Sequence, residues 1–215
     1  AEIVVDDQFR PESPADAREL WALVDRICAD EPHLSVGAFV DHNEASAHFR
    51  RHGGREGMQF GGRQGRFRVS EEAQRRMGCR PYSNFNLVGA AQVGKSSLTG
   101  MRVLHRLGTR VSVWPVDPLP LRGPVVCEIY TTIAAMAAGR TPGRSKMRDG
   151  RELDAGLAVL GCAPSGIAGP LDDHRCDAII TAAWLRKAAH DPQLWAPREL
   201  SAQIARTEGW TFGAI

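Results

Sequence analysis

The chain has 215 residues, of which 43% are hydrophobic and 24% are charged, and its formal net charge is +2. This balance supports a packed core and argues against global disorder, and the sequence holds no apolar run of the roughly 18–20 residues that cross a membrane. Its five cysteines are scattered and match neither a C-x-x-C pair nor a zinc pattern, which predicts reduced, mostly buried thiols and a cytoplasmic location. The sequence leaves the oligomeric state open.

Hydrophobic periodicity and turn residues divide the chain into alternating strands and helices, which is typical of the α/β class. In chain order the pattern predicts a strand at 2–7, a helix at 13–30, a strand at 34–40, short helices at 41–49 and 70–78, a strand at 84–89, a helix at 97–107, strands at 110–114 and 124–130, helices at 131–139, 149–160 and 172–190, a helical stretch at 198–207 and a strand at 209–212. Ser13 is the predicted cap of the first helix, with Pro14 at its first position.

An insertion rich in arginine and glycine, at about 41–80, interrupts this alternation. Residues 50–80 contain nine Arg, three Glu and seven Gly, and phenylalanines flank or punctuate the stretch. Arginine together with glycine and aromatic rings suits a phosphate backbone and stacked bases, which favours nucleic acid as a partner. A solvated surface loop is the alternative, because the whole chain has 24 Arg and three Lys and is therefore biased toward arginine everywhere.

The stretch "GAAQVGKSS" (89–97) fits G-x-x-x-x-G-K-[ST], the phosphate-binding loop of many nucleotide hydrolases. Asn84 and Asn86 interrupt the strand that should precede such a loop. The second acid that would hold magnesium is also poorly placed, since Asp117 comes after a proline and Glu128 lies in mid-strand. A glycine turn followed by a helix is the favoured interpretation, and nucleotide binding through Gly89–Ser96 stays as an alternative.

Several acids follow strands or begin helices and could converge on a cation. Asp6 closes "EIVV", Glu128 lies in the strongest strand, and Asp173 and Asp177 are one helical turn apart. Converging carboxylates cannot all stay ionised without a cation, and hard oxygen ligands suit Mg²⁺ or Mn²⁺. Two such ions can promote phosphodiester cleavage. His174 could transfer protons or bind phosphate, although a surface histidine at a helix start explains it as well.

The segments "DDHRCDAIITA" (172–182) and "VVCEIY" (125–130) together resemble the ribonuclease-H-like superfamily, especially its Holliday-junction-resolvase-like branch. In that branch an acid ends one core strand, a Glu lies on another strand, and a final helix carries H-x-x-D-A beside a further acid. The matching residues are Glu128, Asp173, His174, Asp177 and Ala178.

Nearly the whole chain is similar, more closely, to a bacterial family of uncharacterised predicted nucleases of this fold. The short motifs of that family occur here in the same order, at Phe67, Arg68 and Glu71, at Gly89 to Met101, at Val113 to Asp117, at Glu128 to Tyr130, at Lys146 and at Glu208 to Trp210. The glycine segment recurs in the family without its "GKS" lettering, so the resemblance implies that Lys95 completes the phosphate-loop pattern by accident.

The resemblance implies an α/β, ribonuclease-H-like fold with a mixed central sheet flanked by helices, in a single domain over 1–215. It implies metal-dependent hydrolysis of phosphodiester bonds in DNA or RNA. The expected catalytic residues are Asp6, Glu128, Asp173, Asp177 and His174, and the expected ligands of Mg²⁺ or Mn²⁺ are the carboxylates of Asp6, Glu128, Asp173 and Asp177. The residues expected to contact the substrate are Arg66, Arg68, Lys95 and Lys146.

One departure from the family concerns the start of the chain. "EIVVDD" (2–7) corresponds to the fourth core strand of the fold, so the first three strands and the Asp of the first strand have no counterpart here. We expect either that the natural protein extends upstream, or that this chain is a fragment or an inactive form. A non-catalytic relative that binds nucleic acid or a partner therefore stays as a further alternative.

Overall fold

The computed structural model describes residues 14–89 and 93–215. The α-helices of this part of the chain are α1 (Ala17–Ile27), α2 (Gly37–Val40), α3 (Val69–Arg76), α4 (Val93–Leu107), α5 (Thr131–Ala137), α6 (Gly150–Val159), α7 (Asp173–Ala188), α8 (Pro192–Trp195) and α9 (Ala202–Thr207). The strands are β1 (Arg50–Arg51), β2 (Arg55–Glu56), β3 (Ser112–Trp114), β4 (Val125–Ile129) and β5 (Thr211–Phe212). The α/β class that the sequence predicts is confirmed.

The strands β3, β4 and β5 form a parallel sheet in that order. Val113 on β3 is the partner of Val126 on β4, and further along β4 Glu128 is the partner of Thr211 on β5. Glu128 is the penultimate residue of β4 and lies near the carboxyl end of that strand, and its neighbour Thr211 is the first residue of β5. Ligand sites of parallel sheets lie at the carboxyl ends of the strands.

The chain divides into two compact units and passes between them several times, including once within α3 and once within β4. Unit 1 comprises the described residues up to Glu72, Pro81–Cys127 and Leu200–Trp210. Unit 2 comprises Ala73–Arg80, Glu128–Glu199 and Thr211–Ile215.

Unit 1 is built around the apolar face of α1. The side chain of Asp16 caps this helix by accepting a hydrogen bond from the backbone N–H of Glu19 at 3.0 Å. The predicted start was therefore too early, since the helix begins at Ala17 and Asp16, rather than Ser13, is its cap. Aromatic and aliphatic side chains complete the core, and they are Leu20, Leu23, Val24, Val36, Phe39, Phe49, Phe60, Phe85, Leu87 and Leu98.

Unit 2 packs α5, α6 and α7 around small and aliphatic side chains. Asp149 caps α6 and Asp172 caps α7, each through a carboxylate that accepts a backbone N–H at 2.9 Å. Gly156 allows close packing, because a Cβ there would lie 3.0 Å from the methyl carbon of Met147 and 3.2 Å from Ile180. The helices predicted at 131–139, 149–160 and 172–190 are confirmed with small shifts of their ends.

In the described part of the chain, no helix is both long and apolar enough to cross a membrane.

Two predicted strands of unit 1 are wrong. Residues 34–40 instead form the end of a 3-10 turn and the short helix α2, because the carboxylate of Glu31 accepts the backbone N–H of Ala38 at 2.5 Å and stabilises a helical turn there. Residues 84–89 contain an isolated bridge between Asn86 and Arg50 in place of a strand. The predicted strand at 2–7 lies outside the described residues.

All five cysteines are free thiols in the structure. Cys28, Cys79 and Cys176 are buried, and this burial raises the pKa of each thiol above its ordinary value. The prediction of mostly buried thiols is confirmed, and these three are poor nucleophiles because the reactive thiolate is disfavoured.

Candidate carboxylate site

The junction between β4 and α5 in unit 2 carries two of the predicted site residues. Glu128 is the penultimate residue of β4, and Thr131 is the first residue of α5. The hydroxyl of Thr131 donates a hydrogen bond to Oδ2 of Asp177, which lies on α7, at 3.2 Å. The structure therefore attaches Asp177 to the same short segment that holds Glu128, although the two acids are far apart in the sequence.

The carboxylate of Glu128 is fixed from the neighbouring strand. Oγ1 of Thr211 lies 2.7 Å from Oε1 of Glu128, and Nε2 of Gln74, from α3, lies 2.8 Å from the same Thr211 oxygen. Glu128 is exposed, whereas Thr211 and Gln74 are buried. A buried polar pair thus supports a carboxylate that solvent can reach.

The charge on Asp177 is only partly compensated. Burial raises the pKa of this carboxyl above its ordinary value, and the negative charge of Asp173 raises it further. The hydrogen bond from Thr131, the positive charge of Lys146 and the proximity of His174 act in the opposite direction and do not outweigh the rise. A half-buried carboxylate with this balance favours a proton or a metal cation as an additional partner.

Asp173 and Lys146 form an exposed ion pair beside Asp177. The contact with Asp173 raises the pKa of Lys146, the charge of Asp177 adds to the rise, and Arg148 opposes it. His174 is exposed in the first turn of α7, next to Asp173. The structure thus gathers Asp173, His174, Asp177 and Lys146, four residues singled out from the sequence, into one surface of unit 2.

The predicted metal site has no complete ligand set among the described residues. Over 14–89 and 93–215, no group of three or more His, Cys, Asp and Glu side chains is arranged to hold a metal ion. The oxygens of Glu128, Thr131 and Asp177 fit Mg²⁺ or Mn²⁺ in kind, because both ions prefer hard oxygen ligands. Asp6, the remaining acid of the predicted set, lies outside the described residues.

A groove of about 690 Å³ runs beside the start of α6 in unit 2. Arg148 and Arg151 line it, and both side chains are exposed. The charge of Arg148 acts to lower the pKa of Lys146, which pairs with Asp173. The groove therefore lies next to the carboxylate site. The sequence pointed to Lys146 in this loop and missed both arginines.

The other predicted substrate contacts belong to unit 1, where packing engages two of them. Arg68 is buried and its Nε lies 3.2 Å from Oε1 of Glu71, so a structural role accounts for it. The guanidinium of Arg66 lies over the ring of Phe85, 4.9 Å from its centroid, and Nη2 donates to Nδ1 of His48 at 2.7 Å. Lys95 is exposed on the first turn of α4.

The glycine of the phosphate-loop pattern has a packing role. A Cβ on Gly94 would lie 1.9 Å from the backbone oxygen of Asn84, so the start of α4 approaches that segment too closely for any larger residue. Gly89 has a φ of +98°, in the region that favours glycine, and residues 90–92 lie outside the described part of the chain. Close packing explains Gly94 without a bound nucleotide, although this glycine lies within the first turn of α4 and not in a turn before the helix.

Sequence reasoning found the acids of the site and missed the neutral residues that hold them. Thr131, Thr211 and Gln74 carry no sequence motif of their own, and the proximity of Thr131 to "EIY" was the single local signal. Comparisons with protein-family models, with curated proteins and with solved structures find no match to this chain.

Proposed function

We propose that this chain is a metal-dependent nuclease of ribonuclease-H-like fold, which hydrolyses phosphodiester bonds of DNA or RNA at the carboxylate site of unit 2. The observation that carries the proposal is the attachment of Asp177 to the β4–α5 junction next to Glu128, together with the raised pKa of Asp177. An acid whose charge is only partly compensated, held beside the end of a strand of a parallel sheet, is a common arrangement for binding and catalysis.

The proposed fold has support from the order of its elements. Glu128 lies on the middle strand of a parallel sheet, and Asp177 lies on a long helix late in the chain. This arrangement agrees with the resemblance of "VVCEIY" and "DDHRCDA" to the ribonuclease-H-like superfamily. The family membership, like the activity, is part of the proposal.

Glu128 and Asp177 would hold Mg²⁺ or Mn²⁺, with Asp6 and Asp173 as the further carboxylates that the sequence assigns. When bound, such an ion supplies Lewis acidity to the phosphodiester and stabilises charge on its oxygens. The hydroxyls of Thr131 and Thr211 orient the carboxylates of Asp177 and Glu128 through the hydrogen bonds described above.

The basic side chains of the same surface would bind the phosphate backbone. Lys146 offers an exposed ammonium next to Asp173, and Arg148 and Arg151 line the adjacent groove. Arginine binds phosphate oxygens in a fixed fork geometry and lysine binds them as a point charge. His174, exposed beside the acids, is available to exchange a proton with the leaving oxygen.

The substitution Asp177→Asn tests the proposal most directly. We expect Mn²⁺-dependent cleavage of a labelled single-stranded oligonucleotide to fall by about 100-fold or more, because losing a ligand removes several kcal/mol of transition-state stabilisation. Separate reactions with DNA and RNA of one sequence also distinguish the two substrates.

The matched control is Asp30→Asn, which removes an exposed acid from the turn after α1 in unit 1. Its activity should equal that of the wild type. Equal cleavage by Asp177→Asn and the wild type would contradict the assigned site. Salt-dependent binding by the wild type without cleavage in either metal would instead favour a non-catalytic nucleic-acid-binding relative.

A further inference from the structure

We infer that Thr211 and Gln74 are positioning residues, which hold the carboxylate of Glu128 in one orientation so that it can accept a divalent cation. The inference rests on the proposed function, in which Glu128 is a metal ligand. Neither residue belongs to the acidic pattern that identified the site.

The three side chains all belong to unit 2 and come from one helix and two neighbouring strands. Gln74 lies on α3 and is 3% exposed, and Thr211 lies on β5 and is 0% exposed. Glu128 lies on β4, where the register of the parallel pair makes it the direct neighbour of Thr211. The two contacts, 2.8 Å from Gln74 to Thr211 and 2.7 Å from Thr211 to Glu128, form one continuous chain from the core to the surface.

The direction of these hydrogen bonds follows from the chemistry of the groups. Nε2 of a glutamine amide can only donate, so Oγ1 of Thr211 accepts from Gln74. The single hydroxyl proton of Thr211 remains for Glu128, because an ionised carboxylate can only accept. Each bond polarises the next, and the chain ends on a charged acceptor, which is the arrangement that strengthens a hydrogen bond most.

A purely structural role does not account well for this choice of residues. Burying a hydroxyl and an amide is unfavourable unless both are bonded, and valine would fill a buried strand position without that requirement. Ordering a glutamate side chain on ion binding carries an entropic cost that weakens the affinity, and a hydrogen bond already present in the ion-free protein reduces that cost. The Thr211 hydroxyl fixes the carboxylate in advance, in the way that outer-shell hydrogen bonds orient metal ligands.

The test measures Mn²⁺ binding to the substrate-free protein by isothermal titration calorimetry, alongside thermal unfolding. Thr211→Val should weaken Mn²⁺ binding by about 10- to 100-fold, the range typical of losing an outer-shell partner. Thr211→Ser keeps the hydroxyl and should restore binding to within about threefold of the wild type.

A double variant separates positioning from folding. Gln74→Leu combined with Thr211→Val removes both polar partners and leaves no buried donor behind, so its melting temperature should stay within about 4 °C of the wild type. Its Mn²⁺ affinity should fall as far as that of Thr211→Val. Thr207→Val, which truncates a buried threonine of α9 that bonds to the carbonyl of Gln203, is the matched control and should bind Mn²⁺ as the wild type does.

The outcomes distinguish this inference from the proposed function. Glu128→Gln with unchanged Mn²⁺ affinity would overturn the ligand role of Glu128 and the inference with it. Weaker binding by Glu128→Gln together with wild-type binding by the folded double variant would overturn the inference alone. Loss of binding in Thr211→Ser would also overturn it, because the hydroxyl would then not be the determining group.

Discussion

The acids of unit 1 and the acid at the centre of the unit 2 site have opposite electrostatic environments. Asp117 of unit 1 receives two hydrogen bonds from Arg18, at 2.9 and 2.5 Å, and a third from the backbone N–H of Val113 at 2.8 Å. Burial opposes its ionisation, yet these partners outweigh burial and hold the pKa of Asp117 below its ordinary value. Asp177 of unit 2 is also partly buried, but there burial outweighs the stabilising partners and the pKa is raised.

Asp25 repeats the pattern of unit 1. The hydrogen bond from Arg102 holds the pKa of Asp25 below its ordinary value, and Arg106 adds to the effect. Arg102 is 0% exposed and also donates to the backbone oxygen of Ser35 at 2.5 Å. Its bond to Asp25 joins α4 to α1, and its bond to Ser35 joins α4 to the segment that follows α1. Asp25 and Asp117 are thus matched with guanidinium groups, whereas no guanidinium in the described part of the chain is among the groups that lower the pKa of Asp177, and Asp177 is the candidate for chemistry.

The largest effect should come from breaking a matched pair of unit 1. Asp25→Asn leaves the fully buried guanidinium of Arg102 without its carboxylate, so we expect the free energy of unfolding to fall by about 3 kcal/mol. Urea unfolding monitored by circular dichroism measures the change. Asp30→Asn, at an exposed position of the same unit, should alter it by less than about 0.5 kcal/mol.

The pH dependence gives this prediction a second check. Because the pKa of Asp25 is lowered on folding, the unfolded chain binds its proton more readily, and the stabilisation is present at neutral pH and lost as the pH falls through the lowered pKa. The difference in free energy of unfolding between Asp25→Asn and the wild type should therefore disappear at acidic pH. If this difference in free energy of unfolding stays constant down to low pH, the charge pair is not its cause.

A smaller effect should separate packing from nucleotide binding in unit 1. Gly94→Ala forces a Cβ against the carbonyl of Asn84, and overpacking of this kind costs about 2 kcal/mol in the free energy of unfolding. Gly100 lies in the same helix, and a Cβ added there would meet open space. The control Gly100→Ala should therefore stabilise the protein by about 0.5 kcal/mol.

Titration with ATP and GTP completes this test. Lys95→Ala should leave both stability and the heat of nucleotide addition unchanged, since Lys95 is exposed and the glycine has a packing role. Saturable nucleotide binding that disappears in Lys95→Ala would restore the phosphate-loop alternative.

The smallest effect should come from replacing Asp177, and it should increase the free energy of unfolding where replacing Asp25 lowers it. The raised pKa of Asp177 means that the folded protein binds this proton more tightly than the unfolded chain, so its contribution to stability falls as the pH rises through the window between the ordinary and the raised value. Asp177→Asn removes this dependence on pH. At neutral pH the free energy of unfolding of the variant should exceed that of the metal-free wild type by up to about 1 kcal/mol.

Thermal unfolding in the presence of a chelator, at neutral and at acidic pH, measures this difference. The two proteins should converge in acid, where Asp177 is protonated in both the folded and the unfolded state. A variant that is less stable than the wild type at neutral pH would mean that Asp177 serves the fold, as Asp25 does, and the contrast between the two units would no longer hold.

Periodic segments with clear ends could be predicted from the sequence. The strands β3 and β4 and the helices α5, α6 and α7 follow the predicted ranges, because glycine, proline and capping aspartates end or begin them locally. Residues 34–40 could not be predicted, since the same apolar residues suit a strand or a helical turn until Glu31 caps one of them. The hairpin of β1 and β2 and the short helix α8 were missed, because two to four residues carry too little periodicity.

Residue type and spacing identify the chemical groups that the candidate site can contain, and these are Glu128, Asp173, His174, Asp177 and Lys146. Which charges are neutralised, and which neutral side chains support the acids, depends on contacts that form in the folded protein. Arg18 reaches Asp117 across 99 positions of the chain, and Gln74 reaches Thr211 across 137. Hydrogen bonds act over about 3 Å in space, so contacts between residues so distant in sequence exist only after the chain has folded.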